Sequence, residues 1–151
     1  MSSTSSSASA GNEISLLCQA VKDGDSKKVR RRLSKLIGDD VNQRSGLDLM
    51  TPLMYALYEG HLHIARLLMR EGADVTLKDS RGYNLIYFSI DTKQVAVILW
   101  AIEQGAAKGV GVNDQTDLGM TPVMLSVKDG TIDICNILLS KGSDPSTKGR
   151  G

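Results

Sequence analysis

The chain has 151 residues, 41% of them hydrophobic and 23% charged, with a formal net charge of +1. That is enough for one compact domain or one short repeat array, and it carries no field that would draw it to nucleic acid or an anionic membrane. Aromatic residues make up only 4%, which argues against a wide aromatic-lined ligand pocket or a base-stacking platform.

The opening run, Met1-Ser-Ser-Thr-Ser-Ser-Ser-Ala-Ser-Ala10, has neither the basic start nor the apolar core of a signal peptide. Serine at position 2 excludes N-myristoylation. So polar a run cannot bury enough surface to offset its ordering entropy. Residues 1–11 are therefore expected to be a disordered tail, a spacer or a phosphorylation target, ahead of a repeat domain over 12–151. No stretch reaches the roughly 18 apolar residues needed to span a bilayer, so a cytoplasmic or nuclear location is expected. Cys18 and Cys135 stand in apolar stretches without paired spacing. They read as small buried hydrophobes in a reducing compartment, not as a disulfide framework or zinc site.

The first patterned segment is Ser15-Leu-Leu-Cys-Gln-Ala20-Val-Lys-Asp-Gly24, followed by Lys27–Ile37. In the latter, Val29, Leu33, Leu36 and Ile37 span an arc of about 100° on a helix, and Lys27, Lys28, Arg30, Arg31, Arg32 and Lys35 fill the rest. One buried and one solvated face is what the first unit of a repeat stack requires. Asp23, Asp25, Asp39 and Asp40 flank this basic run.

Thr51-Pro-Leu-Met-Tyr-Ala-Leu-Tyr-Glu-Gly60 follows, then a segment from His61 to Asp74. Thr51 is a good helix N-cap and Pro52 suits the first turn. Gly60 ends this short inner helix, and Leu62–Glu71 reads as a second helix with Gly72 just beyond its C-terminus. Its apolar residues go all round, so it needs neighbours on both sides. The same pattern returns at Thr121-Pro-Val-Met-Leu-Ser-Val-Lys-Asp-Gly130, 70 positions on, or two periods of about 35. Between them lies a weaker copy: Asn84-Leu-Ile-Tyr-Phe-Ser89, Val97-Ile-Leu-Trp100 and Gly105-Ala106. This copy carries about four extra residues, expected within Ala107–Asp117 as a lengthened, glycine-containing loop. In the last copy, Ile132, Ile134, Cys135, Ile137, Leu138 and Leu139 have nothing polar to shield their outer side. A longer parent chain, or a partner covering that end, is expected.

These residues resemble the ankyrin repeat family, whose unit of about 33 residues carries a Thr-Pro-Leu-His-x-Ala start, a Gly-His and a closing Gly-Ala-Asp. Thr51, Pro52, Leu53, Ala56, Gly60, His61, Leu67, Leu68, Gly72, Ala73 and Asp74 match it. The resemblance implies an all-α solenoid of about four helix-turn-helix repeats with hairpin-like finger loops, near residues 13–45, 46–79, 80–116 and 117–148. The family's histidine, which knits neighbouring repeats, is replaced by Met54, Tyr87 and Met124, so those inter-repeat hydrogen bonds are expected to be lost. Asn42 sits where resembling proteins can be hydroxylated.

No catalytic constellation stands out. His61 and His63 are the only histidines, with a spacing wrong for a two-histidine metal site on a helix. Gly105, Gly109 and Gly111 lack the strand–helix setting of a phosphate loop. No enzymatic activity, cofactor or metal is expected. The resemblance implies instead a scaffold or adaptor that binds another protein, or a peptide segment of one, through a concave face of inner helices and finger loops. Carried over position by position, that face comprises Leu47, Asp48, Met50, Tyr58, Glu59, Arg81, Tyr83, Asp91, Leu118, Met120, Lys128 and Asp129. Met50, Tyr83 and Met120 would form an exposed apolar strip, or else fold over neighbouring loops. The alternative, a nucleic-acid or phosphoinositide contact through the basic run 27–35, is disfavoured by its acidic flanks.

Overall fold

The computed structural model describes residues 3–143, with side chains from residue 12 onward except that of Asp39. Among the described residues, eight α-helices run as four hairpin pairs, and the only β pairing is an isolated bridge between Ser45 and Met50. The chain divides into two compact units, Met1–Asp74 and Val75–Gly151.

In the first unit, α1 (Ser3–Asp23) pairs with α2 (Ser26–Leu33) and α3 (Pro52–Tyr58) with α4 (Leu62–Arg70). The two pairs stack, α1 on α3 and α2 on α4. α1 forms because Ile14, Leu17, Cys18 and Val21 recur at helical spacing, and all four are buried. Its backbone is helical from Ser3 onward. The run before Gly11 contains no breaker, and a helix nucleated on the packed turns beyond it extends at little cost per residue.

Asp25 caps α2 by accepting the Lys28 amide at 3.1 Å. α2 is shorter than the expected Lys27–Ile37. The Ser34 hydroxyl turns back onto the Arg31 carbonyl at 2.7 Å, and by Ile37 the backbone is extended. Val29 and Leu33 are buried, but Ile37 is 81% exposed and not part of the buried arc. A 3-10 turn, Gly38–Asn42, leads to the first finger loop. There Asn42 bridges two strands of loop, donating to the Gly72 carbonyl at 3.1 Å and accepting the Asp74 amide at 2.8 Å.

α3 is capped by Thr51, whose hydroxyl accepts the Met54 amide at 3.4 Å, with Pro52 in the first turn. In return the Thr51 amide points at the Met54 sulfur, 3.4 Å away. Thr121 and Met124 repeat this arrangement at 3.5 Å. The methionine thioether, a weak acceptor, thus closes the first turn where the family pattern has histidine. His61 does the knitting instead. Its ring lies 3.4 Å from the Lys22 carbonyl, and a Cβ added at Gly24 would stand 3.0 Å from the imidazole.

In the second unit, α5 (Leu85–Asp91) pairs with α6 (Val95–Ala106), α7 (Pro122–Lys128) pairs with α8 (Ile132–Ser140), and α5 packs on α7. Asn84 caps α5 by accepting the amides of Ile86 and Tyr87 at 3.0 and 3.3 Å. The loss of inter-repeat hydrogen bonds does not extend to Tyr87. Its buried hydroxyl reaches the carbonyls of Asp114 (2.8 Å) and Met120, in the next finger loop, and gives its one proton to either. A phenol is longer than an imidazole and spans the same gap.

The extra residues also lie elsewhere than expected. α6 has 12 residues where α4 and α8 have 9. Its closing glycine at positive φ is Gly109, matching Gly72 and Gly142. The amides of Ala73, Val110 and Ser143 bond back to Leu68, Gly105 and Leu138, so Gly105 is an interior helix position. From Gly72 to Asn84 and from Gly109 to Thr121 the count is the same, 12. The insertion is therefore one extra turn of outer helix and not a longer finger. Gly105 mimics a helix end in sequence, but it is present for close packing: a Cβ there would stand 3.1 Å from the Val110 carbonyl.

Candidate functional site

Three finger loops carry most of the residues expected to bind a partner, and the ends of the inner helices carry the rest. The first runs from Ser45 to Met50, which exchange both backbone hydrogen bonds at 2.8 and 3.0 Å. Tyr55 braces it from α3, its hydroxyl donating to the Ser45 carbonyl at 3.0 Å while the Lys22 ammonium sits 4.6 Å above its ring. Leu47 at the tip is fully exposed, Asp48 is exposed, and Leu49 is half-exposed at φ +55°. Met50, expected on an exposed strip, is instead buried, because its backbone pairing turns the side chain inward. Tyr58 and Glu59, at the end of α3, are exposed as expected.

The second finger, Asp79 to Tyr83, is organised by a buried carboxylate. Asp79 accepts the amides of Arg81 and Tyr83 at 2.9 and 3.0 Å, and the Arg81 guanidinium at 3.0 and 2.7 Å. This holds Arg81 4.2 Å over the Tyr83 ring, which itself stacks on Tyr87 at 5.1 Å. Tyr83 is thereby half-buried. In the third finger, Thr116 and Met120 close the loop at 2.9 Å, Met120 is half-buried, and Leu118 stands 73% exposed at the tip. The Asp117 amide donates to the Arg81 carbonyl at 3.2 Å, tying the second finger to the third. At Gly82 an added Cβ would stand 2.9 Å from that amide nitrogen.

An apolar strip of Met50, Tyr83 and Met120 is thus not displayed: Met50 is buried, and Tyr83 and Met120 are half-buried. Exposed apolar surface lies at the tips instead, at Leu47, Leu49 and Leu118. Leu49 was not among the expected site residues. It takes the place that glycine takes in the other fingers, at Gly82 and Gly119, and comparing the loops side by side would have found it. At the helix ends, Asp91, Lys128 and Asp129 are exposed. Partial burial, with Asp129 adding repulsion and Arg81 and Lys93 opposing, raises the Asp91 carboxyl above its usual range.

On α2, Lys27, Lys28, Arg30 and Arg31 are exposed. Arg32 and Lys35 lean on Glu13 of α1 at 3.5 and 3.8 Å, so the basic face is narrower than the sequence suggests. In the second unit, Val127 and Ile132 are exposed and Leu139 partly so, beside an apolar groove of about 150 Å³ that Cys135 also lines. Of the six apolar α8 residues expected to need covering, Ile134 and Leu138 are buried, Cys135 and Ile137 half-buried, and Ile132 and Leu139 exposed; residues 144–151 lie outside the described residues.

A family model described as ankyrin repeats (3 copies) matches residues 17–111, more than half of the chain. The chain belongs to the ankyrin repeat family. Ankyrin repeats are in general protein-interaction modules, and the fold class is the all-α repeat solenoid that the helix pairs build. Similar ankyrin chains include the putative palmitoyltransferase ZDHHC13 of Danio rerio, 33% identical over 116 residues, which is 76% of this chain and 17% of that one. The palmitoyltransferase AKR1 of Lachancea kluyveri is 32% identical over 74 residues, 49% of this chain and 10% of the relative. The Notch-regulated ankyrin repeat-containing protein A of Danio rerio is 26% identical over 85 residues, 56% of this chain and 76% of the relative. The chain therefore spans at most about a sixth of the palmitoyltransferases it matches. No helix among the described residues is long and apolar enough to cross a membrane.

Proposed function

We propose that this chain is a non-catalytic scaffold or adaptor module, cytoplasmic or nuclear, that holds a partner protein by its finger tips and the adjacent ends of its inner helices. The observation that carries this reading is the set of exposed leucines on braced hairpins: Leu47 and Leu49 on one finger, Leu118 on another. Neighbouring apolar side chains exposed on a hydrogen-bonded loop, as Leu47 and Leu49 are, suit the anchoring of a partner protein. Asp48, Tyr58 and Glu59 in the first unit, and Arg81, Asp91, Lys128 and Asp129 in the second, supply a polar surround suited to specificity. The exposed Val127, Ile132 and Leu139 would be covered by a partner or a further repeat.

A second reading rests on the four exposed cations of α2, which would suit phosphate groups of nucleic acid or phosphoinositide. The two readings separate by pull-down from cell extract with folded variants. Leu47→Ser/Leu118→Ser should abolish capture of a specific protein while Arg30→Gln/Arg31→Gln leaves it intact, with little dependence on salt. Loss with the arginine variant alone, together with elution by moderate salt, would transfer the function to α2.

A further inference from the structure

We propose that Ser34 is a phosphorylation site for a basophilic serine/threonine kinase, one whose substrate groove takes arginines two and three residues before the acceptor. The sequence Arg30-Arg31-Arg32-Leu33-Ser34 puts Arg32 and Arg31 at those two places and Arg30 one further back. No other serine or threonine in the chain has arginine at both. Carboxylates of such a groove recognise guanidinium groups by paired, charge-assisted hydrogen bonds, for which lysine is a poorer substitute.

The fold presents this segment. Ser34 is exposed and stands at the C-cap of α2, where the helix ends and the chain becomes extended by Ile37. Arg30 and Arg31 are exposed as well. Two attachments hold the last turn down: Leu33, buried at 8% exposure, and the Arg32–Glu13 pair at 3.5 Å. The helix has only 8 residues, so releasing one turn is a local opening of the kind that gives access without global unfolding. In the transfer, Ser34 Oγ attacks the γ-phosphorus of ATP and the bond to the bridging oxygen of ADP breaks. The hydroxyl proton passes to the base of the kinase, and ADP leaves.

The product alters α2 in two ways. The hydroxyl can no longer donate to the Arg31 carbonyl, so the last turn loses a fastening. The phosphate also brings a charge of about −1.5 to −2 to the negative end of the helix dipole, within reach of Arg30, Arg31 and Lys35. About a quarter to a third of the charge of the basic run is cancelled. This inference does not depend on the finger tips binding a partner.

The test is phosphorylation of the full folded chain by a basophilic kinase with ATP, followed by fragment-ion mapping. The expected result is one phosphate on Ser34, absent in Ser34→Ala. Arg31→Gln/Arg32→Gln should slow the reaction by on the order of tenfold or more, and Glu13→Gln, which frees Arg32, should speed it. Relative to a peptide of residues 28–37, the folded chain should react roughly 10- to 100-fold more slowly, the burden of exposing Leu33. Phosphate on the serine-rich N-terminal run with Ser34 untouched overturns the proposal. So does a peptide that reacts while the folded chain does not, or an unmodified Ser34 in chain recovered from cells held in phosphatase inhibitor.

Discussion

Two side chains occupy backbone positions that their counterparts in other repeats give to glycine. Leu49 has φ +55° where Gly82 and Gly119 stand, and Lys93 has φ +58° where Gly24, Gly60 and Gly130 stand. A left-handed residue with a Cβ costs about 1 kcal/mol, partly offset by the smaller entropy its chain loses on folding compared with glycine. Lys93→Gly should therefore stabilise the second unit by about 0.5–1 kcal/mol, read in urea from the fluorescence of Trp100, the single tryptophan. Leu49→Gly should do the same for the first unit, followed by circular dichroism, and at the same time weaken partner capture. A destabilised Leu49→Gly would show that the leucine side chain packs and is not a binding element. Asn84 presents the opposite case: its buried Nδ2 has no hydrogen-bond partner. Asn84→Thr, the residue found at the other two caps, should gain up to about 1 kcal/mol by removing that orphan. A loss larger than that would mean the amide is satisfied in solution.

The short inner helices owe their position to a few long-reaching side chains. Tyr87→Phe keeps the ring but removes the hydroxyl that reaches the Asp114 and Met120 carbonyls; Met120 keeps the Thr116 amide, so the loss is one hydrogen bond across to the finger. It should cost about 1–3 kcal/mol and raise amide exchange in the third finger; an unchanged urea midpoint would count against that bridge. Gly105→Ala should cost about 1–3 kcal/mol through overpacking against Val110 and Leu85. If Gly105 merely ended α6, alanine would be harmless. Such side-chain bridges set the limit of what was legible in the sequence. The repeat period, the caps at Thr51 and Thr121, and the glycines at Gly60 and Gly72 announced the helix pairs, because local spacing alone determines them. The placement of the inserted turn did not show, since Gly105-Ala106 imitates a closing turn and only the bond from Val110 reveals otherwise. The burial of Met50 was hidden for a related reason: a backbone bridge with Ser45 decides which way it faces, and no periodicity exists in a loop. The exposed tips at Leu47 and Leu118 were expected from the family pattern, whereas the glycine-like posture of Leu49 is a dihedral fact.

Across the whole molecule, buried groups that resist ionisation tie stability to alkaline pH. Burial pushes the Cys18 thiol from its ordinary 9.0 up to about 11, and Tyr87 rises well above its ordinary 10.0 by burial first, then by Asp114 and Tyr83. In both cases the unfolded chain gives up its proton sooner than the folded one, so stability falls as pH rises. The loss from Cys18 begins near pH 9, the unfolded value, and continues to about pH 11, at no more than about 1.4 kcal/mol per pH unit. Tyr87 adds its share above about pH 10. A urea series from pH 8 to pH 11 should show this decline, and Cys18→Ala should flatten its first part; an equal slope in both would remove Cys18 as the cause. The added turn of α6 has a consequence for how this chain tolerates growth. Four residues rotate a helix by about 400°, which leaves everything beyond within about 40° of its former heading, whereas a single inserted residue would swing it by about 100°. Random insertions into the outer helix should accordingly survive in steps of three or four residues and fail at one or two, so that this protein lengthens in quanta.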